Sequence, residues 1–380
     1  MADRVGDWLA LLHALYPPDD AESWDNVGLQ VGDPDAGTAA VLICVDVTPA
    51  TLAEAVDQGV DLVIAHHPLL FRPLQRLTPD TASGRVALQA ARAGVAVAAA
   101  HTNLDVARDG TTARIMELLG AQGAVPMQPS REPGHQGTFK FVVFVPRGST
   151  QEVLAAAFAA GAGRIGEYDE CSFRVAGTGT FRPSAAANPA VGKREQRNDV
   201  EEDRLEFVVE ARAWGPVMDA VTAAHPYEEV ALDVYPVLSR PRRDAPTVRK
   251  GLGLFGLLPQ PMTLAEAAER LREGLPSPHL RVAGDLDRMV QRIAACGGAG
   301  DSLIDSALNF RADVYITGDL RHHVTLDAMT QGLALIDAGH HATEAPAMTT
   351  LLERLRDGAT ERGLAARLLA SAVSTDPWTS

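Results

Sequence analysis

Six of the eleven histidines in the chain stand as three adjacent pairs, His66-His67, His322-His323 and His340-His341. Each pair follows an apolar segment typical of a buried strand, or lies shortly beyond one. In open α/β sheets, ligands bind outside the carboxyl ends of the strands, so these imidazoles are candidates for one shared crevice. Imidazoles gathered in this way can bind a divalent metal ion or transfer protons.

Carboxylates accompany two of the strand ends at a spacing suited to metal binding. His340 and Glu344 are four residues apart, so a helix that begins after Gly339 would place both on one face. In VAVAAAHTNLD, a strand leads to His101, and Asp105 follows four residues later. Imidazoles and carboxylates without thiolates suit Zn²⁺, Mn²⁺, Fe²⁺ or Co²⁺. The predicted metal ligands are His66, His67, Asp105, His340 and Glu344.

Several neighbouring residues have more than one interpretation. His101 could be a ligand, a proton shuttle or a residue that orients the nearby carboxylate. Asp46 could hold a metal-bound histidine, or it could cap the helix that Thr48-Pro49 begins. His322 or His323 could face the crevice as a proton donor, or both could lie on the surface at a helix start. A lone His-x-x-x-Glu is usually a pair on the surface of a helix. The prediction of a metal site therefore depends on candidate ligands that occur together at three strand ends.

Apolar strand segments alternate with helices in the first and the last third of the chain. The segments VLICVDV, DLVIA and VAVAAA surround predicted helices at about 48–59 and 82–93. The last third has a helix from Thr263 to about Gly274, the segment HLRVAG, a helix over 301–310, and the strands DVYIT and LALID. This alternation predicts mainly parallel sheets covered by helices, in two α/β halves.

The middle of the chain, about 129–248, has a different pattern. Its predicted order is strand FKFVVFVP, helix 149–160, a Gly-rich stretch 161–179, a polar loop 183–204, strand RLEFVVEA, helix 214–224 and strand VALDVYPV. Two successive β-α-β units predict a ferredoxin-like α+β domain. Pro-rich segments flank this domain as hinges. The predicted domains are therefore an α/β domain from 1–128 with 249–375, and an inserted domain at 129–248.

Composition restricts the class of protein. The chain has 380 residues, of which 46% are hydrophobic and 22% charged, as expected for two or three globular units. Its formal charge of −15 argues against general binding to nucleic acid or anionic lipid. The three cysteines are odd in number and lack a Cys-x-x-Cys, which fits a reducing cytoplasm. Neither a signal peptide nor a membrane span is predicted.

One motif that spells a nucleotide fingerprint is discounted. Residues 251–256 read G-x-G-x-x-G, but they follow a charged loop, and the next predicted helix begins seven residues later at Thr263. A dinucleotide-binding fingerprint needs a strand immediately before the glycines and a helix immediately after them. No Gly-x-Ser-x-Gly nucleophile elbow is present either.

The motifs HHP, HTNLD, GDLRHH and GHHATE, with WDNVGLQVG near the start, resemble those of the NIF-three-like dinuclear-metal-centre family over nearly the whole chain. The segments GEYDECSFRVAGTGTFRP, ANPAVG and HPYEEVALDVYP resemble the middle domain of longer bacterial members, commonly named GTP cyclohydrolase 1 type 2 homologues. The resemblance implies a metal-binding α/β domain assembled from both chain ends and an inserted domain similar to the PII and CutA proteins. It further implies a toroidal homohexamer, a trimer of dimers, and two divalent ions per subunit. The implied metal ligands are His66, His67, Asp105, His340 and Glu344.

The activity that the resemblance implies is hydrolysis through a metal-bridging hydroxide. The substrate would be GTP, as in type 1 cyclohydrolases, or another nucleotide or phosphoester, with His101 or His323 as the acid. The alternative is a non-catalytic metal-handling or regulatory hexamer whose inserted domain senses a small molecule. A third hypothesis is a purely structural metal with a closed ligand shell. Residues 225–229, HPYEE, form either a turn before a strand or a ligand site, and we assign them no catalytic role.

Overall fold

A computed structural model of the chain describes residues 3–130, 138–210, 213–237, 250–276 and 279–378. The chain forms two compact units. The first, here called the host unit, combines residues 1–130 with residues 246–380, and the second, the insert, comprises residues 131–245. The predicted fold class is confirmed, because the host unit is a mixed α/β structure built from both ends of the chain.

The described strands and helices alternate along much of the chain. The strands are β1 Gly28–Val31, β2 Ala40–Cys44, β3 Leu62–Ala65, β4 Ala96–Ala99, β5 Gln122–Pro129, β6 Thr138–Pro146, β7 Ser172–Phe181, β8 Asn198–Glu210, β9 Leu232–Val237, β10 Gly251–Thr263, β11 Arg281–Ala283, β12 Met289–Ala299, β13 Val314–Gly318, β14 Ala334–Asp337 and β15 Arg367–Ala370. The helices are α1 Val5–Leu15, α2 Pro49–Asp57, α3 Ala82–Ala93, α4 Thr102–Asp105, α5 Ala113–Leu119, α6 Thr150–Ala159, α7 Trp214–Ala224, α8 Leu264–Gly274, α9 Ile304–Asn309, α10 His322–Thr330 and α11 His340–Arg362.

The first sheet of the host unit has the strand order β1-β4-β3-β2-β15. The neighbours from β4 to β15 are parallel, and β1 joins antiparallel at the edge. All residues of β2, β3 and β4 are buried, which explains their continuous apolar sequences, because both faces of a parallel sheet are covered. Helix α2 begins as predicted, where the Thr48 side chain accepts from the Thr51 N–H, and α3 ends as predicted at Gly94.

The second sheet of the host unit has the order β11-β14-β13-β12-β10-β5. Strands β12, β13 and β14 are parallel, and the other three join antiparallel. Strands β10 and β12 are absent from the predicted elements. Their segments are rich in glycine and alanine and lack clear alternation, and their pairing depends on β5 and β13, which lie elsewhere in the sequence.

The insert contains a four-stranded antiparallel sheet in the order β7-β8-β6-β9. With the chain order β6-α6-β7-β8-α7-β9, this is the predicted ferredoxin-like arrangement. Two local predictions were wrong: β7 occupies the end of the Gly-rich stretch, and β8 starts at Asn198, inside the predicted loop 183–204. These polar residues become strands because β7 and β8 pair with each other over ten positions. None of the described helices is long and apolar enough to cross a membrane.

Candidate metal centre

Strand ends in the host unit carry the predicted ligands. His66 and His67 directly follow β3, and their N–H groups donate to the carbonyls of the last residue of β2 and of the residue after it, which extends the strand pairing. Asp105 ends the short helix α4 beyond β4. His340 begins α11 beyond β14, and Glu344 follows one helical turn later, as the spacing predicts. The structure therefore brings all five residues to one place at the carboxyl ends of parallel strands.

Glu344 lies at the centre of this cluster. Its Oε1 is 3.4 Å from His66 Nε2 and 3.2 Å from His340 Nε2, and its Oε2 is 3.1 Å from His67 Nε2. The Nε2 atoms of His67 and His340 are 3.3 Å apart, and Asp105 Oδ1 is 3.6 Å from His66 Nε2. Ligand atoms about 2.0–2.1 Å from a tetrahedral metal ion lie roughly 3.3 Å from one another. The spacing of the donor atoms thus fits a coordination shell.

Two of these donor atoms are buried without a hydrogen bond. His66 is fully buried and Glu344 is 3% exposed, and neither His66 Nε2 nor Glu344 Oε2 has a hydrogen-bond partner among the described residues. A buried carboxylate oxygen or imidazole nitrogen without a partner is costly. A divalent cation placed among these atoms would remove that cost, so the residues fit a metal.

The opposite ring nitrogen of each histidine ligand is held in place. The acceptors are the Ala100 carbonyl for His66, Asp46 Oδ1 for His67 and Asp319 Oδ2 for His340, at 3.0, 2.8 and 2.7 Å respectively. When Nδ1–H donates to such an oxygen, Nε2 keeps its lone pair and the ring orientation is fixed. All three imidazoles therefore present Nε2 to the cluster, as metal ligands do.

The structure decides the role of Asp46 and adds a residue that the sequence analysis missed. Thr48 caps α2, so the Asp46 side chain is left to bind His67, and Thr375 donates to its second oxygen. Asp319 follows β13 with a φ of 56°, a left-handed conformation that non-glycine residues rarely adopt. The motif GDLRHH contained Asp319, but nothing in its spacing indicated a contact with His340.

His101 lies beside the cluster and is held by a second missed residue. Its ring centroid is 5.2 Å from that of His66, and its Nδ1 is 2.8 Å from Asp25 Oδ1. The other Asp25 oxygen accepts from the N–H and the hydroxyl of Thr102. Burial opposes ionisation of Asp25, but these hydrogen bonds prevail and lower its pKa to about 2. Asp25 belongs to the WDNVGLQVG motif, which identifies a family without revealing this contact.

Protonation within the cluster follows from its carboxylates. Burial opposes the charged form of His67, but the Asp46 carboxylate that accepts its Nδ1–H and the nearby Glu344 carboxylate outweigh burial and raise the pKa of His67 to about 10. The pKa of His340 rises to about 9, because the nearby Glu344 carboxylate and the hydrogen bond to Asp319 outweigh burial. Burial also opposes ionisation of Glu344, but the three imidazoles hold its pKa well below the usual value. A metal ion that binds here must displace the imidazole protons.

A cavity of about 980 Å³ opens beside His67 and His340 in the host unit. Its wall also contains Asp46, His341 and Trp378. The structure does not bring His323 to this cavity or to the cluster. His322 and His323 begin α10, are exposed and contact each other.

Comparisons with known proteins identify the family of the chain. The model of the Duf34/NIF3 (NGG1p interacting factor 3) family matches residues 4–377, and the chain belongs to that family. A Mycobacterium tuberculosis relative named GTP cyclohydrolase 1 type 2 homolog is 39% identical, over 100% of this chain and 97% of the relative. A Bacillus subtilis relative of the same name is 36% identical over 98% of this chain and 97% of its own length. The crystal structure of a Bacillus cereus protein related to NIF3 covers 100% of both chains at 36% identity, with a TM-score of 0.67.

Proposed function

We propose that this protein is a dinuclear-metal-dependent hydrolase of nucleotides or other phosphoesters, with GTP cyclohydrolase type 1 activity as the first candidate. The proposal depends mainly on the position of Glu344. This one buried carboxylate lies between two groups of donor atoms, His66 with Asp105 and His67 with His340. The name shared by the relatives from Mycobacterium tuberculosis and Bacillus subtilis supports the choice of GTP.

Each donor group would hold one divalent ion, and Glu344 would contact both. Two such ions would activate water as a nucleophile at neutral pH and offset negative charge on the substrate. The set of imidazoles and carboxylates admits Zn²⁺, Mn²⁺, Fe²⁺ or Co²⁺. The adjoining cavity, at about 980 Å³, is large enough for a nucleotide.

His101 is the residue that would move a proton. Asp25 accepts from its Nδ1–H, so the lone pair of Nε2 remains for proton transfer. The Asp25 carboxylate, whose pKa is about 2, stays ionised and stabilises the imidazolium that forms when Nε2 takes a proton. That proton can then pass to a leaving nitrogen or oxygen of the substrate. His323 has no part in this proposal because it lies on the exposed surface.

Metal analysis and turnover measured on the same preparation test the proposal. We expect metal-replete protein to open the ring of GTP or to hydrolyse a member of a nucleotide and phosphoester panel, and the Asp105→Asn and Glu344→Gln variants to lose this activity. Asp25→Asn should retain metal while turnover falls by about 10²- to 10⁴-fold, the usual contribution of general acid–base catalysis. Asp57→Asn, an exposed change at the end of α2, is the matched control.

Bound metal without turnover on any substrate of the panel would refute the hydrolase and leave the metal-handling alternative. The assembly implied by the resemblance, a homohexamer formed as a trimer of dimers, remains a separate prediction. Light scattering of the purified full chain tests it, since a hexamer and a dimer differ threefold in mass.

A further inference from the structure

The insert contains a cavity of its own, with a volume of about 420 Å³. Aromatic rings line it, from Phe144, Phe181 and Tyr227, together with small apolar side chains such as Pro189 and Ala231. The rings of Phe181 and Tyr227 lie with their centroids 6.1 Å apart. The volume and this lining are those of a site for a small molecule.

A buried carboxylate forms part of the cavity wall. Glu202 is 7% exposed, and Tyr227 is the one described residue that hydrogen-bonds its carboxylate, with the hydroxyl donating to Oε1 at 2.9 Å. A Cβ atom at Gly179 would lie 2.0 Å from Glu202 Oε2, so the glycine makes room for this oxygen. A buried carboxylate without a cation is costly, and a single hydroxyl compensates for only part of that cost.

The HPYEE segment fixes one side of the cavity. His225 Nδ1 accepts the N–H of Tyr227 at 3.1 Å, so its Nε2–H donates to the Phe144 carbonyl at 2.9 Å. An imidazole that accepts at one nitrogen is neutral, in agreement with the lowering of its pKa by burial. His225 therefore has a structural role, whereas Tyr227, Glu228 and Glu229 face the cavity.

The charges around the cavity favour a cation. Three acidic residues line it, Glu202, Glu228 and Glu229, against one basic residue, Arg182. Arg182 Nε donates to the Glu195 carbonyl at 3.0 Å. This excess of negative charge would repel an anionic ligand. A cation would instead offset the buried Glu202 carboxylate and would be attracted by the aromatic faces as well.

We propose that the insert binds a small organic cation with a flat or apolar body. Its ammonium or amidinium group would pair with Glu202, and its body would pack against Phe181 and Tyr227. This site goes beyond the hydrolase proposal and does not depend on it, because no residue of the metal centre contributes to it.

Benzamidine is a suitable probe, and benzamide is its neutral counterpart of the same shape. Calorimetric titration of the full chain should show saturable binding of benzamidine and at least tenfold weaker binding of benzamide. The Glu202→Gln variant should weaken benzamidine binding at least tenfold. The matched control is Glu201→Gln, an exposed residue on the same strand that pairs with Arg147, and it should change the affinity less than twofold.

Other outcomes contradict the site. Equal affinity for benzamidine and benzamide, an unchanged affinity in Glu202→Gln, or no binding to the full chain as it assembles in solution would each overturn the proposal. The last result would mean that another subunit or segment fills the cavity. If Glu202→Gln does not fold, the ratio of the two probes on the unaltered protein and a tenfold loss in Phe181→Ala decide the question.

Discussion

Glu344 in the host unit and Glu202 in the insert are both buried carboxylates, yet their surroundings differ in kind. Three imidazole nitrogens lie within 3.4 Å of Glu344, whereas among the described residues only the Tyr227 hydroxyl hydrogen-bonds the Glu202 carboxylate. Imidazoles aimed at one point, each fixed through its other nitrogen, form a ligand set for a metal. A carboxylate beside aromatic rings has the surroundings of an organic cation site. The neighbours of a buried charge therefore distinguish the two kinds of ligand better than burial does.

The largest expected effect follows from the loss of the central carboxylate. The Glu344→Gln variant should bind divalent metal more than about 100-fold more weakly. This loss of affinity exceeds the one usually caused by substituting a residue that only hydrogen-bonds a ligand. Metal content after dialysis, measured by mass spectrometry, checks this. Glu353→Gln, an exposed change on the same helix, should retain its metal. Full metal occupancy in the Glu344→Gln variant would remove the basis for comparing Glu344 with Glu202.

A somewhat smaller effect on metal affinity is expected from a residue that hydrogen-bonds one of the ligands. The Asp46→Asn variant should weaken metal binding about 10- to 100-fold, because the carboxylate that accepts from His67 Nδ1 is lost. Competition with a chromophoric chelator measures this affinity. Asp57→Asn serves as the control, and equal affinities in the two variants would show that Asp46 does not support the site.

A glycine next to the candidate metal centre provides a test of packing. Gly298 has a φ of 66°, and a Cβ atom there would lie 2.2 Å from Glu344 Oε1. Gly298→Ala should lower the free energy of unfolding by more than the roughly 1–3 kcal/mol that an alanine in the left-handed backbone conformation costs. The substitution should also reduce metal binding. Gly332 also has a positive φ, but a Cβ atom there would meet open space. Chemical denaturation of the Gly298→Ala and Gly332→Ala variants therefore separates the effect of the clash from that of the backbone strain. Equal losses would mean that Glu344 moves aside freely.

The smallest effect concerns the insert. Gly179→Ala should displace the Glu202 carboxylate and weaken benzamidine binding about tenfold, or about 1.4 kcal/mol, without changing metal content. Gly177→Ala on the same strand meets open space and should bind the probe normally. If Gly179→Ala also lost metal, the two sites would not be independent as the comparison assumes.

Local signals made much of the host unit predictable. Thr48 and Gly94 mark helix ends by their own chemistry, and continuous apolar segments mark buried parallel strands. Strands β10 and β12 could not be found in this way, because hydrogen bonds to distant strands stabilise glycine- and alanine-rich segments that have little strand preference of their own. In the insert, β7 became a strand for the same reason.

The sequence alone determined which residue types stand at the strand ends, and therefore the five candidate ligands from His66 to Glu344. Spacing within one segment is a local property, and a helix that begins after Gly339 is enough to place His340 and Glu344 together. Only the tertiary structure decided that Asp25, Asp46 and Asp319 hold the histidines, that His323 faces away, and that Glu202 lines a cavity. Those contacts join residues that are tens of positions apart, and their geometry is set by the packing of whole elements rather than by any local pattern.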